Sequence, residues 1–223
     1  HHNYSADVKY VFNTADSNRY LSMALAINRD TAVNLILIQH EFGFFSNQEE
    51  LFTEFVKNIF KPVVIVFHTV LPRPDEKRKL YVQKIVNLAQ SIIVMTNSSA
   101  EILIRDYNTA KDKITIIPHG THLVPHADKE TLKSKLNLSG RKVLSTFGLL
   151  GSGKNIETTL RALPAIIENH KDTLFLIIGK THPEVFKREG EDYRIKLVKM
   201  VKELKLHDHV KFINSFLPLP DLL

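Results

Sequence analysis

The residues 148–154, GLLGSGK, hold the chain's clearest chemistry. A turn built from Gly148, Gly151, Ser152 and Gly153 can aim several backbone N–H groups one way, and a helix opening behind it adds unpaired N–H groups and the positive end of its dipole. Such a turn binds an anion, most often phosphate. Lys154 supplies a full positive charge where the dipole alone contributes only ~0.3–1 kcal/mol. The spacing GxxxxGK is also that of the nucleotide triphosphatase P-loop, but the next position, which there holds magnesium through a hydroxyl, is Asn155. The apolar run LFLII leads into Gly179 and Lys180 rather than into a metal-binding aspartate. A P-loop-like NTPase is therefore the alternative to a phosphate-gripping turn of another kind.

Four histidines follow apolar runs: His40 after LILIQ, His68 after VVIVF, His119 after IIP, and His182 behind LIIGKT. Ligands of open α/β sheets bind beyond the carboxyl ends of strands, so these positions are candidates as a set. His68 is the strongest, because the following VLPRP has two prolines that keep the chain extended and open. His40 comes with Glu41 and Gly43, a combination suited to recognising hydroxyls, with Phe42, Phe44 and Phe45 packing in the core. Thr181 and His182, in THPE, follow a strand end and could line the same crevice as Lys154. His119 and His122 have HxxH spacing, but Gly120 breaks any helix between them and no third ligand stands at metal-site spacing, so no metal is expected. His126, His170, His207 and His209 are expected to be solvated. There is no GxSxG elbow and no cysteine nucleophile.

These groups must be carried by elements. Short β-branched runs recur at 33–38, 62–69, 91–96, 113–118, 141–148, 173–179 and 209–216. Runs this continuous predict strands buried on both faces, as in parallel sheets. Helical patterns lie between them, at about 16–28, 47–60, 75–90, 98–107, 129–137, 155–170 and 185–205. The alternation predicts an α/β fold of right-handed βαβ units. Asn97, Ser98 and Ser99 offer N-caps, and Leu80, Ile85, Val86 and Leu88 fall on one helix face. In 185–205 the pattern is a charged amphipathic helix whose Leu197, Met200, Val201 and Leu204 pack inward, and its charged face needs no ligand. The polar stretch Thr121–Ala127, with Pro125, places a boundary between domains at 1–124 and 125–223. The chain opens directly on a short strand and helix and closes on the apolar LPLPDLL, so both domains read as incomplete and the chain as part of a larger protein.

Composition narrows the partners. Of 223 residues, 43% are hydrophobic, which suits a soluble globular protein, and no apolar run approaches the ~20 residues of a membrane span. Without a signal peptide, a cytoplasmic protein is expected. Thirty Lys and Arg against twenty-four Asp and Glu give +6, which favours nucleotides, phosphorylated sugars or an acidic membrane surface. The basic residues are dispersed and not interleaved with aromatics, which argues against nucleic acid. His1 and His2 read as the remnant of a purification tag.

In order, QHEFGFF, VVIVFHTVLPRP, IIPHG, FGLLGSGKNIETTLRALP and LIIGKTHPE resemble the retaining glycosyltransferases of the GT-B fold, in particular family four. The resemblance runs from about residue 33 onward. It implies two Rossmann-like parallel-sheet domains facing across a cleft, with a nucleotide-diphosphate sugar, such as a UDP- or GDP-hexose, held mainly by the second and a glycan or lipid-linked acceptor mainly by the first. Gly148, Gly151, Ser152, Gly153 and Lys154 would grip the donor diphosphate, and His68 would stand near the transferred sugar as the catalytic residue. His40, Glu41 and Gly43 would lie on the acceptor side, with His119, Gly120, Thr181 and His182 lining the cleft. Transfer would need no metal or other cofactor and would keep the anomeric configuration, with peripheral contact at the inner face of the membrane. The family often has arginine where this chain has Leu149, and asparagine where it has His119. Its acidic pair would fall after Leu223, which makes a non-catalytic nucleotide-sugar-binding fragment the further alternative.

Overall fold

The computed structural model describes residues 4–11, 13–121, 123 and 128–215. They form two compact units, His1–Thr121 and His122–Leu223. His122, His126, most of the stretch around Pro125, LPLPDLL, and the His1–His2 pair lie outside the described residues.

Unit 1 begins with turns rather than the strand expected there, then runs α1 (Arg19–Arg29), β1 (Ile36–His40), a 3-10 turn Phe42–Phe45, α2 (Glu49–Lys57), β2 (Val63–Phe67), α3 (Glu76–Leu88), β3 (Ser91–Val94), α4 (Asn97–Tyr107) and β4 (Ile114–Ile116). Its sheet is all parallel in the order β1-β2-β3-β4, with His40 level with Phe67 and Phe67 level with Val94. A monotonic order joined by right-handed crossovers stacks the connecting helices on one face. The core lies there: Ile65, Phe67, Ile92 and Val94 pack against Phe52, Val82, Ile85 and Leu103. Burial on both faces holds for β2, where Val66 is buried as well as Ile65 and Phe67, but not for the sheet's edges. Leu35 and Leu37, at and beside edge strand β1, and Ile117, just past β4, are each about half exposed.

Unit 2 contains α5 (Lys129–Lys135), β5 (Lys142–Phe147), a 3-10 turn Ser152–Lys154, α6 (Ile156–Asn169), β6 (Thr173–Ile178), α7 (Pro183–Glu189), α8 (Asp192–Glu203) and β7 (Val210–Ile213). The sheet order is β5-β6-β7, again all parallel. Leu160, Leu163, Phe175, Ile177, Leu197 and Val201 form the main core. Leu138, Leu174 and Leu176 form a smaller cluster.

Local chemistry departs from expectation at three places. The single helix expected over 185–205 is broken by Gly190, whose φ of +61° suits a residue without a Cβ. The N-cap of α4 is Thr96, whose hydroxyl accepts from the Ser99 N–H, while Asn97–Ser99 are already helical. On α3, Leu80 and Leu88 face outward and the buried face is Tyr81, Val82, Ile85 and Val86.

Candidate functional site

The chemistry collects at the carboxyl ends of the strands in each unit. In unit 2 the exits of β5 and β6 meet backbone to backbone. Gly148 N–H donates to the Ile178 carbonyl at 3.0 Å, Leu150 N–H to Lys180 at 2.8 Å, and His182 N–H to Leu150 at 2.9 Å. Gly179 has φ +135°, and a Cβ there would lie 1.9 Å from the Gly148 oxygen, so glycine is required for these loops to touch. Lys154 folds back over this contact: a Cβ on Gly148 would be 3.7 Å from its Nζ.

The turn itself is exposed, apart from half-buried Gly151. Lys154 N–H bonds Gly151 and Asn155 N–H bonds Ser152. Among the described residues the N–H groups of Gly151, Ser152 and Gly153 make no hydrogen bond, which leaves three adjacent donors in a turn whose lysine folds over Gly148. One expectation is corrected here. Asn155 is left-handed, φ 47°, so α6 starts only at Ile156, and its first N–H is not open but bonds the Tyr193 hydroxyl at 3.2 Å. The open donors left in this region are those of the turn and of Lys154.

Thr181 and His182 separate. Thr181 is buried and its hydroxyl donates to Glu191 Oε2 at 2.5 Å, whereas His182 is exposed. The charged face of 185–205 is not the idle surface the sequence suggests. Lys180, Thr181, Pro183, Phe186, Glu191, Arg194 and Asn214 help line a cavity of about 600 Å³ at the β6 and β7 exits. Arg194 donates to the Gly179 carbonyl at 3.0 Å, to Glu191 at 2.9 Å, and to Asn214. The side chain of Arg194 is only 12% exposed, and it is a site residue that sequence reasoning missed. Its signal was the break at Gly190, which puts a helix start, not a helix middle, beside the strand ends.

In unit 1 His68 is exposed, and its Nε2–H donates to the Gln39 amide oxygen at 2.6 Å, since that oxygen only accepts. Nδ1 is thereby left as an acceptor. The His119 ring stands edge-on to it, 6.2 Å between centroids, and His119 Nδ1–H is turned to the Gly120 carbonyl at 2.8 Å. Thr69 donates to Glu41 at 3.1 Å, tying the β2 exit to the β1 exit, and Gly43 stands in open space.

His40 does not join them at the surface. It is 0% exposed, the last residue of β1, walled by Phe42, Phe45, Phe52, Phe67 and Tyr81. Its Nε2 lies 2.9 Å from the Tyr81 hydroxyl and its Nδ1 has no partner. Burial pushes the imidazole down to about 4, so it is neutral near pH 7. With no surface, His40 offers no atom to an acceptor molecule. Of the three aromatics expected in the core, Phe42 and Phe45 pack there and Phe44 is 61% exposed.

Beside it opens a cavity of about 260 Å³ lined by Phe42, Gly43, Ser46, Glu49, Asp75, Lys77, Arg78 and Tyr81. Asp75 caps α3 by accepting from the Arg78 N–H, and the Arg78 guanidinium lies over the Phe42 ring at 5.7 Å. This wall went unnoticed in the sequence because it belongs to the first turns of α3, whose residues read as an ordinary charged start. Among the described residues no group of three or more His, Cys, Asp or Glu could hold a metal ion, and no helix is long and apolar enough to cross a membrane.

Comparison with known proteins agrees with this architecture. Residues 50–124 match the model of Glycosyltransferase Family 4. The chain is 34% identical over 92 residues to spore coat protein SA of Bacillus subtilis, and 27% identical over 112 residues to D-inositol 3-phosphate glycosyltransferase of Corynebacterium jeikeium. These matches cover 40% and 48% of this chain but only 23% and 27% of the relatives. Among solved structures, HepE of Anabaena in complex with UDP is similar over 91% of this chain with TM-score 0.69 and 17% identity. A glycosyltransferase of Rickettsia africae is similar over all of it with TM-score 0.67 and 18% identity. The chain spans about half the length of both, 53% and 56%. The chain thus has the fold of the GT-B glycosyltransferases, two parallel-sheet α/β units, and its residues 50–124 match the Glycosyltransferase Family 4 model.

Proposed function

We propose that the protein moves a hexose from a nucleotide-diphosphate sugar, UDP- or GDP-linked, to an acceptor hydroxyl, with retention and without a metal. The observation that carries this is the exposed turn of unit 2, in which the N–H groups of Gly151, Ser152 and Gly153 make no hydrogen bond among the described residues while the Lys154 ammonium folds over Gly148 at the turn's start. It is supported by a fold neighbour crystallised with UDP. The bond from the anomeric carbon to the diphosphate breaks as one to the acceptor oxygen forms, negative charge gathers on the departing diphosphate, and the acceptor's hydroxyl proton passes to that diphosphate oxygen. Fixed donors aimed at that charge lower the barrier, which is why positive groups can replace a metal. The 600 Å³ cavity, with Lys180, Phe186, Arg194 and Asn214, takes the nucleoside end. On unit 1 the free Nδ1 of His68 accepts from a sugar hydroxyl, while Glu41, Gly43 and the cavity over Arg78 and Tyr81 receive a glycan or lipid-linked acceptor. Action is cytoplasmic, at the inner face of the membrane where the acceptor is lipid-linked.

The test is transfer from UDP- and GDP-hexoses by the parent protein, with and without a chelator. Lys154→Ala should lower turnover by ~10²–10³, the cost of removing one well-placed donor to a charge-bearing oxygen. Turnover that requires magnesium and consumes ATP would overturn the proposal in favour of an NTPase.

A further inference from the structure

The first turns of α8 are tied to every loop at the working edge of unit 2. Tyr193 is the central tie. Its hydroxyl accepts from the Ile156 N–H at 3.2 Å and donates to Glu157 Oε2 at 2.7 Å, and Lys196 Nζ holds the other oxygen, Oε1, at 2.7 Å. Tyr193 and Glu157 are both buried. On either side of it, Arg194 holds the Gly179 carbonyl, on the residue that touches Gly148, and Glu191 takes the Thr181 hydroxyl. α6 has no side-chain cap of its own, because left-handed Asn155 cannot provide one, and the tyrosine from another helix replaces it.

The arrangement has an electrostatic side. Glu157 lies three residues after Lys154, where an unpaired carboxylate would repel a bound phosphate. Tyr193 and Lys196 draw both of its oxygens toward α8 and neutralise it. Stability alone would be served by an apolar residue at 157, with a Ser or Asp as cap. What the polar network adds is a fixed position for the end of the anion turn and removal of a negative charge from beside it.

We propose that Tyr193 is a positioning residue of the phosphate-binding turn: through the Ile156 N–H and the Glu157 carboxylate it sets where Lys154 and the amides of 151–153 stand, without touching the ligand. This rests on the donor site proposed above. The geometry makes the effect selective, since a displaced turn weakens binding of phosphates and leaves the nucleoside untouched.

The experiment compares UDP with uridine by titration calorimetry on the full chain, wild type against Tyr193→Phe, with circular dichroism verifying the fold. The loss of the hydroxyl should raise the Kd for UDP by roughly five- to tenfold, as expected for one lost hydrogen bond, with uridine changed by less than about twofold. If Tyr193→Phe does not fold, Lys196→Met carries the test. Its parent side chain is 58% exposed, and it should raise the UDP Kd by roughly threefold, again sparing uridine, through the carboxylate it unmasks. A variant that keeps the wild-type ratio of UDP to uridine affinity, or weakens both equally, overturns the inference alone. A wild-type chain that does not prefer UDP to uridine overturns the donor site and the inference with it.

Discussion

At the scale of single residues, histidine shows how little a residue's type says about its use. His40 and His68 both close apolar runs, and their parent strands lie side by side in register. Alternation of side chains along a strand sends one into the helix-covered core and leaves the next position of the sheet edge open. No signal in the sequence separates them except that Phe42, Phe45 and Phe52 must be packed against something, and His40 is that something. Its burial has a measurable consequence. Folded, it titrates near 4, unfolded near its ordinary 6.5, so the unfolded state binds the proton first as pH falls. Stability is complete above about pH 6.5 and declines toward pH 4. Between pH 7 and 4.5 the wild type should lose roughly 2–3 kcal/mol in urea unfolding that His40→Gln does not lose, and equal slopes for the two would refute a buried neutral imidazole. Gly179→Ala has an equally direct outcome. The added methyl meets the Gly148 carbonyl, so the variant should lose about 2 kcal/mol or more of unit 2 stability, together with UDP binding.

At the scale of elements, the seven strands and the helices between them were legible, because β-branched runs and 3.6-residue periods are set by local burial. Ends were less so. Asn97, Ser98 and Ser99 all have capping chemistry, and only the backbone decides that Thr96 takes the extended N-cap conformation, φ −140°. Thr96→Ala should therefore cost about 1 kcal/mol in thermal or urea unfolding, while Ser98→Ala stays within about 0.5 kcal/mol. A larger loss from Ser98 would reverse that assignment. Gly190 is the break that shapes the candidate site. Read as one long helix, 185–205 is a charged surface; read as two, its second half starts at the strand ends and presents Glu191, Tyr193 and Arg194 to the loops. Periodicity is nearly unchanged across a single glycine, which is why the pattern concealed it.

At the scale of the molecule, the net charge of +6 is not one undivided attraction for anions. Several cations are spent on backbone carbonyls far from any ligand. Lys113 donates to Val86, Ala89 and Asn87, Lys61 to Asp30 and Val33, and Arg141 to Asp172, Thr173 and Asp208. Lys113→Met should destabilise unit 1 by roughly 2 kcal/mol, the scale of hydrogen bonds from a charged donor, without changing UDP affinity. The continuous apolar strands predict parallel sheets, and β2 and β6 are buried on both faces, but the half-bare edge strands escape the sequence because strand order is invisible in a strand's own residues. In the turn at 148–154, glycine and lysine are legible as anion chemistry, whereas the tyrosine that caps the following helix arrives from 37 residues downstream. The most direct measurement is a UDP titration of the chain and of Lys154→Ala at fixed salt. Wild-type binding that weakens by about tenfold or more in the variant is the predicted result, in keeping with a charged contact to phosphate. Equal affinity in the two proteins, or none in the wild type, would contradict a diphosphate held by this turn.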